Sequence, residues 1–483
     1  MIIALVIIVI LVLAPIGAFT LIVANSRASP FPVAWARGLA GQSDAQLVHG
    51  DGFFSLSLLS YTRQYCTFQV EALGLANGSI LWLSKPFNLT NLFTPCYGRE
   101  LPSMHYISGM IYLLAPSFGY SVLLSNGTLS TGSFDVTRLA VIGMSPQTGQ
   151  VLSIGTAFAP NGIGFLGSGF LGTNGNDVYA GYLSPGPGMG NSSQLDLEGF
   201  SPARPGTLQW NESLSVPASP LWDMSASLSV GSDRLLVVVT YDSSGPLLIT
   251  ETYYLINLDP TDGSVNYRGF LPRNESELSG GSALAIGATS GTVYYTSGYD
   301  LNGRLLGVNG TDGAILMNAS IPTASNIGGE LSVVNGQVFY GYPEGCAGPG
   351  CYTGPTGYLV YSASGNLQWS ISLDTGTSMA LWSPMAFSNG LVLLINLKSA
   401  FVSLPGTEGQ LDYGGLYGAY YLVNSTNGRV VWFAGYSPIV LPPWTPAGPA
   451  PEYVPLISAG HYVLFSVSSA GNTTECVDIH QLG

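Results

Sequence analysis

Short runs rich in valine, tyrosine, leucine and phenylalanine, broken by glycine-centred polar turns, recur along nearly the whole chain. Leu235–Tyr241, Thr292–Thr296, Gln337–Tyr342, Leu391–Leu397 and Tyr462–Val467 are near-continuous apolar stretches of strand length. That pattern is expected where a strand is buried on both faces. One set of eight turns sits beside these runs, at Asp51-Gly52, Ser108-Gly109, Asn174-Gly175, Val230-Gly231, Ser290-Gly291, Asn335-Gly336, Asn389-Gly390 and Ala459-Gly460. A second set of seven lies at Asn77-Gly78, Thr148-Gly149, Pro205-Gly206, Asp262-Gly263, Asp312-Gly313, Ser364-Gly365 and Asn427-Gly428. Several of these lead into a tryptophan, as in Ile80-Leu81-Trp82 and Val430-Val431-Trp432. Each glycine is expected to supply the positive φ of a two-residue hairpin. The period is about 58 residues, long for one four-stranded unit but ordinary with loop insertions, and such units bury their faces only against neighbours. A propeller or solenoid follows.

Eight turns of the first set against seven of the second is informative. The last unit ends at Glu475–Leu482 without a tryptophan strand, whereas Phe31–Leu39, before the first unit, carries Trp35. Pairing that segment with the last unit would close a ring and remove exposed sheet edges. The runs Tyr420–Trp432 (Tyr-Tyr-Leu-Val-Asn-Ser-Thr-Asn-Gly-Arg-Val-Val-Trp) and Leu359–Trp369 resemble the quinoprotein-type, PQQ-like repeat. The resemblance covers residues 31–483 and implies an all-β, eight-bladed β-propeller, with seven blades as the alternative if the span from Gly109 to Gly175 is mostly insertion. A propeller does not by itself imply an activity.

Met1 to Val23 contains no charged residue, and the first is Arg27. A helix of about 24 residues is about 36 Å long, enough to span a bilayer. It lacks the basic start of a signal peptide, and Arg27 and Arg37 lie on the side that should be outside. The stretch resembles the mature N-terminal helix of archaeal type IV pilins, which packs into a filament core. The chain is therefore expected to divide into a hydrophobic helix, residues 1–26, and a propeller, residues 27–483, closed by the strand 31–39. A membrane anchor and an uncleaved signal peptide are the alternatives for the first part.

Charged residues make up 8% of the chain and the net charge is -14. That balance argues against a nucleic-acid partner, whose phosphates need clusters of lysine and arginine. Ten N-x-S/T sequons occur at Asn77, Asn88, Asn126, Asn191, Asn211, Asn274, Asn309, Asn318, Asn424 and Asn472, none in the apolar start. In an exported chain they are glycan acceptors. Five cysteines fit an oxidising compartment. Pairs Cys66–Cys96 and Cys346–Cys351 are expected, with Cys476 left as a buried thiol.

No catalytic set stands out. Quinoprotein dehydrogenases use adjacent cysteines, a calcium and an aspartate, and this chain has no adjacent cysteine pair. Asp259-Pro260-Thr261-Asp262-Gly263 has a faint likeness to a calcium loop but lacks its alternating oxygen ligands and terminal glutamate, so it reads as a hairpin turn. His49, His105, His461 and His480 fall in separate repeats, His105 and His461 in strand contexts, with no metal-ligand spacing. Glu275 and Glu277 read as solvated charges. Trp82, Trp210, Trp369 and Trp432 recur with the repeat and read as packing between blades, leaving Trp444 and Tyr413–Tyr421 as exposed aromatic candidates. The resulting expectation is a non-enzymatic, extracellular, glycosylated filament subunit with no cofactor and no metal. Its partners would be copies of itself through residues 1–26, N-linked glycans, and surface polysaccharide or other cells. The alternatives are a membrane-anchored binding scaffold and a quinoprotein-type dehydrogenase.

Overall fold

The computed structural model describes residues 33–481. Excepted are 39–41, 63–64, 91–101, 117–118, 133–137, 159–168, 186–191, 205–206, 218–221, 245–248, 273–283, 288–290, 298–302, 322–329, 343–356, 374–377, 388, 402–413, 436–452 and 468–472. The expected helix 1–26 lies outside the described residues, as do Cys96, Cys346, Cys351, Asn191, Asn274, Asn472, Glu275, Glu277, Trp444 and Tyr413. Among the described residues no helix is long and apolar enough to cross a membrane.

The described chain is a β-propeller. Its strands form eight antiparallel sheets, seven with four strands and one with seven. We number them 1 to 8 in the order of their first hairpins, so that sheet 1 opens with Gln42–His49 and sheet 8 contains Tyr453–Ala459, Tyr462–Val467 and Thr473–Asp478. Eight apolar clusters lie between successive sheets, from Phe54, Trp82 and Ile142 between sheets 1 and 2 to Tyr420, Phe465 and Val477 between sheets 7 and 8. The last, with Trp35, Phe53 and Leu464, joins sheet 8 back to sheet 1. Seven of the sheets are regular four-stranded blades, and sheet 1 is enlarged to seven strands. The N-terminal strand Val33–Gly38 pairs antiparallel with Thr473–Asp478 and forms the outer edge of sheet 8.

Alternation along each strand explains the continuous apolar runs. In Leu235–Ser244, the side chains of Leu235, Val237, Val239 and Tyr241 pack towards sheet 3. Leu236 and Val238, between them, pack towards sheet 5. A strand wedged between two blades has no polar face. The long span from Gly109 to Gly175 has a separate cause. A hairpin, Gly119–Leu123 with Leu129–Gly132, leaves sheet 2 between two of its strands and adds to the edge of sheet 1 through Phe87–Thr90.

The two sets of turns differ physically. Ser108-Gly109 and Asn335-Gly336 are two-residue hairpins with φ of 47° and 85°, and 51° and 74°. Positive φ at both positions defines the type I′ turn that matches strand twist. The second set does not follow the two-residue expectation. In five of its turns the glycine closes a longer turn by donating its N–H four residues back, as Gly263 does to Asp259 O and Gly428 to Asn424 O, both at 2.9 Å, whereas Gly365 donates three residues back to Ser362 O and Gly206 lies outside the described residues. The register slips by one residue beside each of these turns, between Asn257 and Leu258 and between Leu422 and Val423. The extra residue of this bulge needs a left-handed glycine.

These glycines also receive the preceding blade's tryptophan. Trp210 Nε1–H donates to Pro260 O at 2.8 Å, and a Cβ on Gly263 would lie 2.5 Å from the indole. The same latch joins Trp35 to Leu75 O and Gly78, Trp82 to Pro146 O and Gly149, and Trp369 to Ser425 O and Gly428. In each, the carbonyl is three residues before the glycine. Where tryptophan is absent, Tyr267 lies against Gly313, and Met317 lies against Gly365.

Candidate functional sites

Three histidines lie at the rim formed by the first set of turns. In sheet 8, Ala459 pairs with Tyr462 across Gly460 (φ 60°), which makes His461 a turn residue rather than a strand residue. The next strand returns with Tyr462 opposite Asp478, and Ile479 N–H donates to His461 O at 2.9 Å. A 3-10 turn, Ile479–Gln481, then lays His480 over His461. The two imidazoles stack at 4.4 Å between centroids and 6° between planes. Asp478 Oδ1 accepts the His480 backbone N–H at 3.0 Å and lies 3.9 Å from His461 Nε2. One donor atom from each of His461, Asp478 and His480 lies within 4.8 Å of the others. His461 and Asp478 are half-buried and His480 is exposed.

The expectation of histidines in unrelated repeats is thus corrected for this pair. The missed signal was register: with Tyr462–Val467 and Glu475–Leu482 read as neighbouring strands, the residue before one faces the residues after the other. His49 instead stacks on Tyr106 at 3.4 Å, and His105 Nε2 is 2.9 Å from Ser103 Oγ, with burial pushing its pKa down.

Beside the cluster, Cys476 is a free, fully buried cysteine, and its Sγ–H donates to Leu75 O at 3.7 Å. Burial, with a contribution from the Asp478 charge, pushes its thiol up to about 12. A thiol held protonated is neither a ligand nor a nucleophile. Cys66 is disulfide-bonded, and its partner lies outside the described residues.

The second feature is the outer edge of the ring. Seven sequon asparagines fall among the described residues, and none is buried. Asn211 and Asn318 lie on outer strands, Asn126 at the tip of the inserted hairpin, and Asn77, Asn309 and Asn424 at turns of the second set. In four of them the side-chain oxygen accepts the backbone N–H of the sequon serine or threonine: Ser79 to Asn77 at 3.0 Å, Thr128 to Asn126 at 2.9 Å, Thr311 to Asn309 at 3.0 Å and Thr426 to Asn424 at 2.9 Å. This turn occupies Oδ1 and leaves the side-chain nitrogen, the atom a glycan is joined to, outside the turn's own hydrogen bonds.

Other singled-out residues have structural roles. Asp259 Oδ1 accepts Thr261 N–H at 2.8 Å and Asp262 Oδ1 accepts Ser264 N–H at 2.9 Å, so both carboxylates close the hairpin turn. Tyr420 and Tyr421, expected among exposed aromatics, are buried at 1% and 9% exposure because both faces of their strand pack on blades. Trp82, Trp210 and Trp369 are latches, and Trp432 is half-buried against the cluster between sheets 7 and 8.

One buried acid went unnoticed in the sequence. Glu198 is 2% exposed at the interface of sheets 2 and 3, and neither carboxyl oxygen has a hydrogen-bond partner among the described residues. Burial pushes its pKa up to about 8. Two residues away, buried Asp196 accepts from the Ser213 hydroxyl, and from Gln194 Nε2 at 3.0 Å.

No family model matches the chain, and no curated protein matches it. Among solved structures, it is similar to quinohemoprotein alcohol dehydrogenase from Comamonas testosteroni at 11% identity, covering 94% of this chain and 77% of that one, with a TM-score of 0.47. A europium-containing methanol dehydrogenase matches at 12% identity, over 92% of this chain and 86% of its own, with a TM-score of 0.44. The Dos1 propeller matches at 8% identity, over 92% and 95%, with a TM-score of 0.45. Likeness at this level stops at the fold, since propellers of one architecture serve unrelated chemistries.

Proposed function

We propose that this chain is a non-enzymatic, exported, glycosylated propeller that serves as the structural or adhesive subunit of a cell-surface filament. The observation that carries the reading is the placement of the seven described sequons: six lie on outer strands, edge turns or the inserted hairpin, Asn88 lies half-buried on a strand paired on both sides, and none is buried. Glycans there would cover the perimeter without disturbing the interfaces that hold the ring together. Exposed aliphatic and aromatic side chains on the same outer strands, among them Leu81, Leu316, Val431 and Phe433, offer contact surface between glycans. In this reading we count sheet 1 as the eighth blade, and residues 1–26 form the helix at the filament core. The uncharged sequence Met1–Val23 supports that role, because a helix with no polar face is satisfied only by lipid or by copies of itself.

The test is negative-stain microscopy of the protein isolated from its own cells, with glycopeptide mapping of the same sample. Filaments carrying glycans at the exposed sequons are expected. A charge in the core should abolish assembly by burying an unpaired ion. Ile7→Lys should therefore leave a folded propeller that no longer polymerises. A glycan-free protein, a monomer released only by detergent, or filaments that survive Ile7→Lys would overturn the proposal.

A further inference from the structure

We propose that His461, Asp478 and His480 form a binding site for a divalent transition-metal ion, with zinc as the ion to test. Two imidazoles and one carboxylate are a donor set suited to zinc and its first-row neighbours rather than to calcium or magnesium, which take oxygen ligands. Zinc sits about 2.0–2.2 Å from such donors, which puts tetrahedral ligands about 3.3 Å apart. The three donor atoms already lie within 4.8 Å of one another before any ion draws them in.

The backbone fixes two of the three ligands. His461 is held in its turn by the Ile479 N–H bond to its carbonyl, and Asp478 is the last residue of a strand paired on both sides. Only His480 must move. Its ring is stacked face to face on His461, so the nitrogen lone pairs of the two rings lie in parallel planes. Sliding the exposed His480 ring off the stack turns its lone pair towards the ion without disturbing a buried contact. The Asp478–His480 backbone bond survives that motion and orients the carboxylate, whose Oδ1, 3.9 Å from His461 Nε2, has a further lone pair for the metal.

Three protein ligands at a solvent-facing rim leave a fourth position open to water or to a donor from another molecule, unlike the closed four-ligand set of a structural zinc.

The test strips the full chain of metal with a chelator and titrates it with cobalt(II) and zinc, reading cobalt absorption and thermal unfolding. One equivalent should bind, with visible bands of a nitrogen- and oxygen-ligated cobalt that zinc displaces. Zinc should raise the unfolding temperature, because an ion bound only by the folded state stabilises it by mass action. Loss of the exposed ligand in His480→Gln, which keeps the backbone bond to Asp478, should weaken binding at least about tenfold and abolish the zinc-induced shift. His461→Gln should do the same, and His49→Gln, at the same rim but outside the cluster, should change neither reading. The proposal is overturned if the chain binds no stoichiometric ion, or if His480→Gln and His461→Gln, with unchanged circular dichroism, bind as tightly as the parent. It is equally overturned if His49→Gln removes the binding.

Discussion

Ser192–Phe200 sends Leu195 and Leu197 towards sheet 4, and sends Asp196, Glu198 and Phe200 towards sheet 2. The two faces of sheet 3 thus share strands and burial but differ in chemistry. The face towards sheet 4 is mainly apolar, with one buried hydroxyl, Ser193, donating to Met224 Sδ at 3.8 Å, and it is sealed by Trp210, whose ring stacks on Tyr179 at 6.0 Å and whose N–H reaches Pro260. Gly199 and Gly263 make room for it, since a Cβ at either would lie within 2.6 Å of the indole. The face towards sheet 2 packs Ala180, Tyr182 and Phe200 against Tyr112 and Leu139, but it also buries a carboxyl without a hydrogen-bond partner among the described residues. One interface is built for adhesion between blades; the other keeps a titratable group out of water.

Removing the latch should have the largest effect. Trp210→Ala is expected to cost about 3–5 kcal/mol, as for other buried tryptophans, through lost contact area and the cavity left behind. Gly263→Ala attacks the same contact from the other side and adds strain at φ 74°. With the indole gone, the new methyl meets only the flexible Glu212 side chain, whose Cγ would lie 3.1 Å away. The double variant should therefore cost less than the sum of the singles by at least about 1 kcal/mol in denaturant unfolding. Strict additivity would show that tryptophan and glycine are not a unit.

On the other face, Glu198→Gln should stabilise the protein at neutral pH. The folded pKa is raised to about 8 from an ordinary value of 4.5. Between those values the folded state holds a proton that the unfolded state releases, so stability falls as pH rises through that window. Glutamine removes the penalty. A gain on the order of 2 kcal/mol is expected near pH 7, vanishing by about pH 4, where both states are protonated. Buried His105 contributes the opposite slope, since its lowered pKa costs stability as pH falls through the usual histidine range. The difference in unfolding temperature between parent and variant across pH isolates Glu198. A constant difference would mean that the carboxyl is not the titrating group.

What the sequence discloses about these two faces follows from what is local. The alternation in Ser192–Phe200 and Leu235–Ser244, the glycine turns and the recurrent tryptophans are short-range signals, and they are enough for a ring of sheets. Trp35 could be matched to the last unit because that unit alone lacked a turn of the second set and the strand after it. The partners of Glu198 depend on which residues of sheet 2 face it across the interface, and no local pattern carries that. The inserted hairpin hid for a similar reason, because Gly119–Leu123 reads as one more strand until its pairing with Phe87–Thr90 is known. His461 and His480 were separable only through register across a hairpin and a returning strand, a one-residue matter that spacing along the chain does not show.

The smallest effect divides the latch itself. Trp210→Phe keeps an aromatic ring over Gly263 but loses the N–H that serves Pro260 O at 2.8 Å. A single hydrogen bond of this kind contributes about 1 kcal/mol net, and a buried carbonyl left without a donor costs somewhat more. Trp210→Phe should therefore fall well short of Trp210→Ala, and its cost should not vary between pH 4 and pH 8, because neither indole nor carbonyl titrates there. That flat profile, set beside the sloping one of Glu198→Gln, is the sharpest contrast between the two faces of sheet 3. If Trp210→Phe proves as costly as Trp210→Ala, the hydrogen bond rather than the ring seated on Gly263 is what joins the blades.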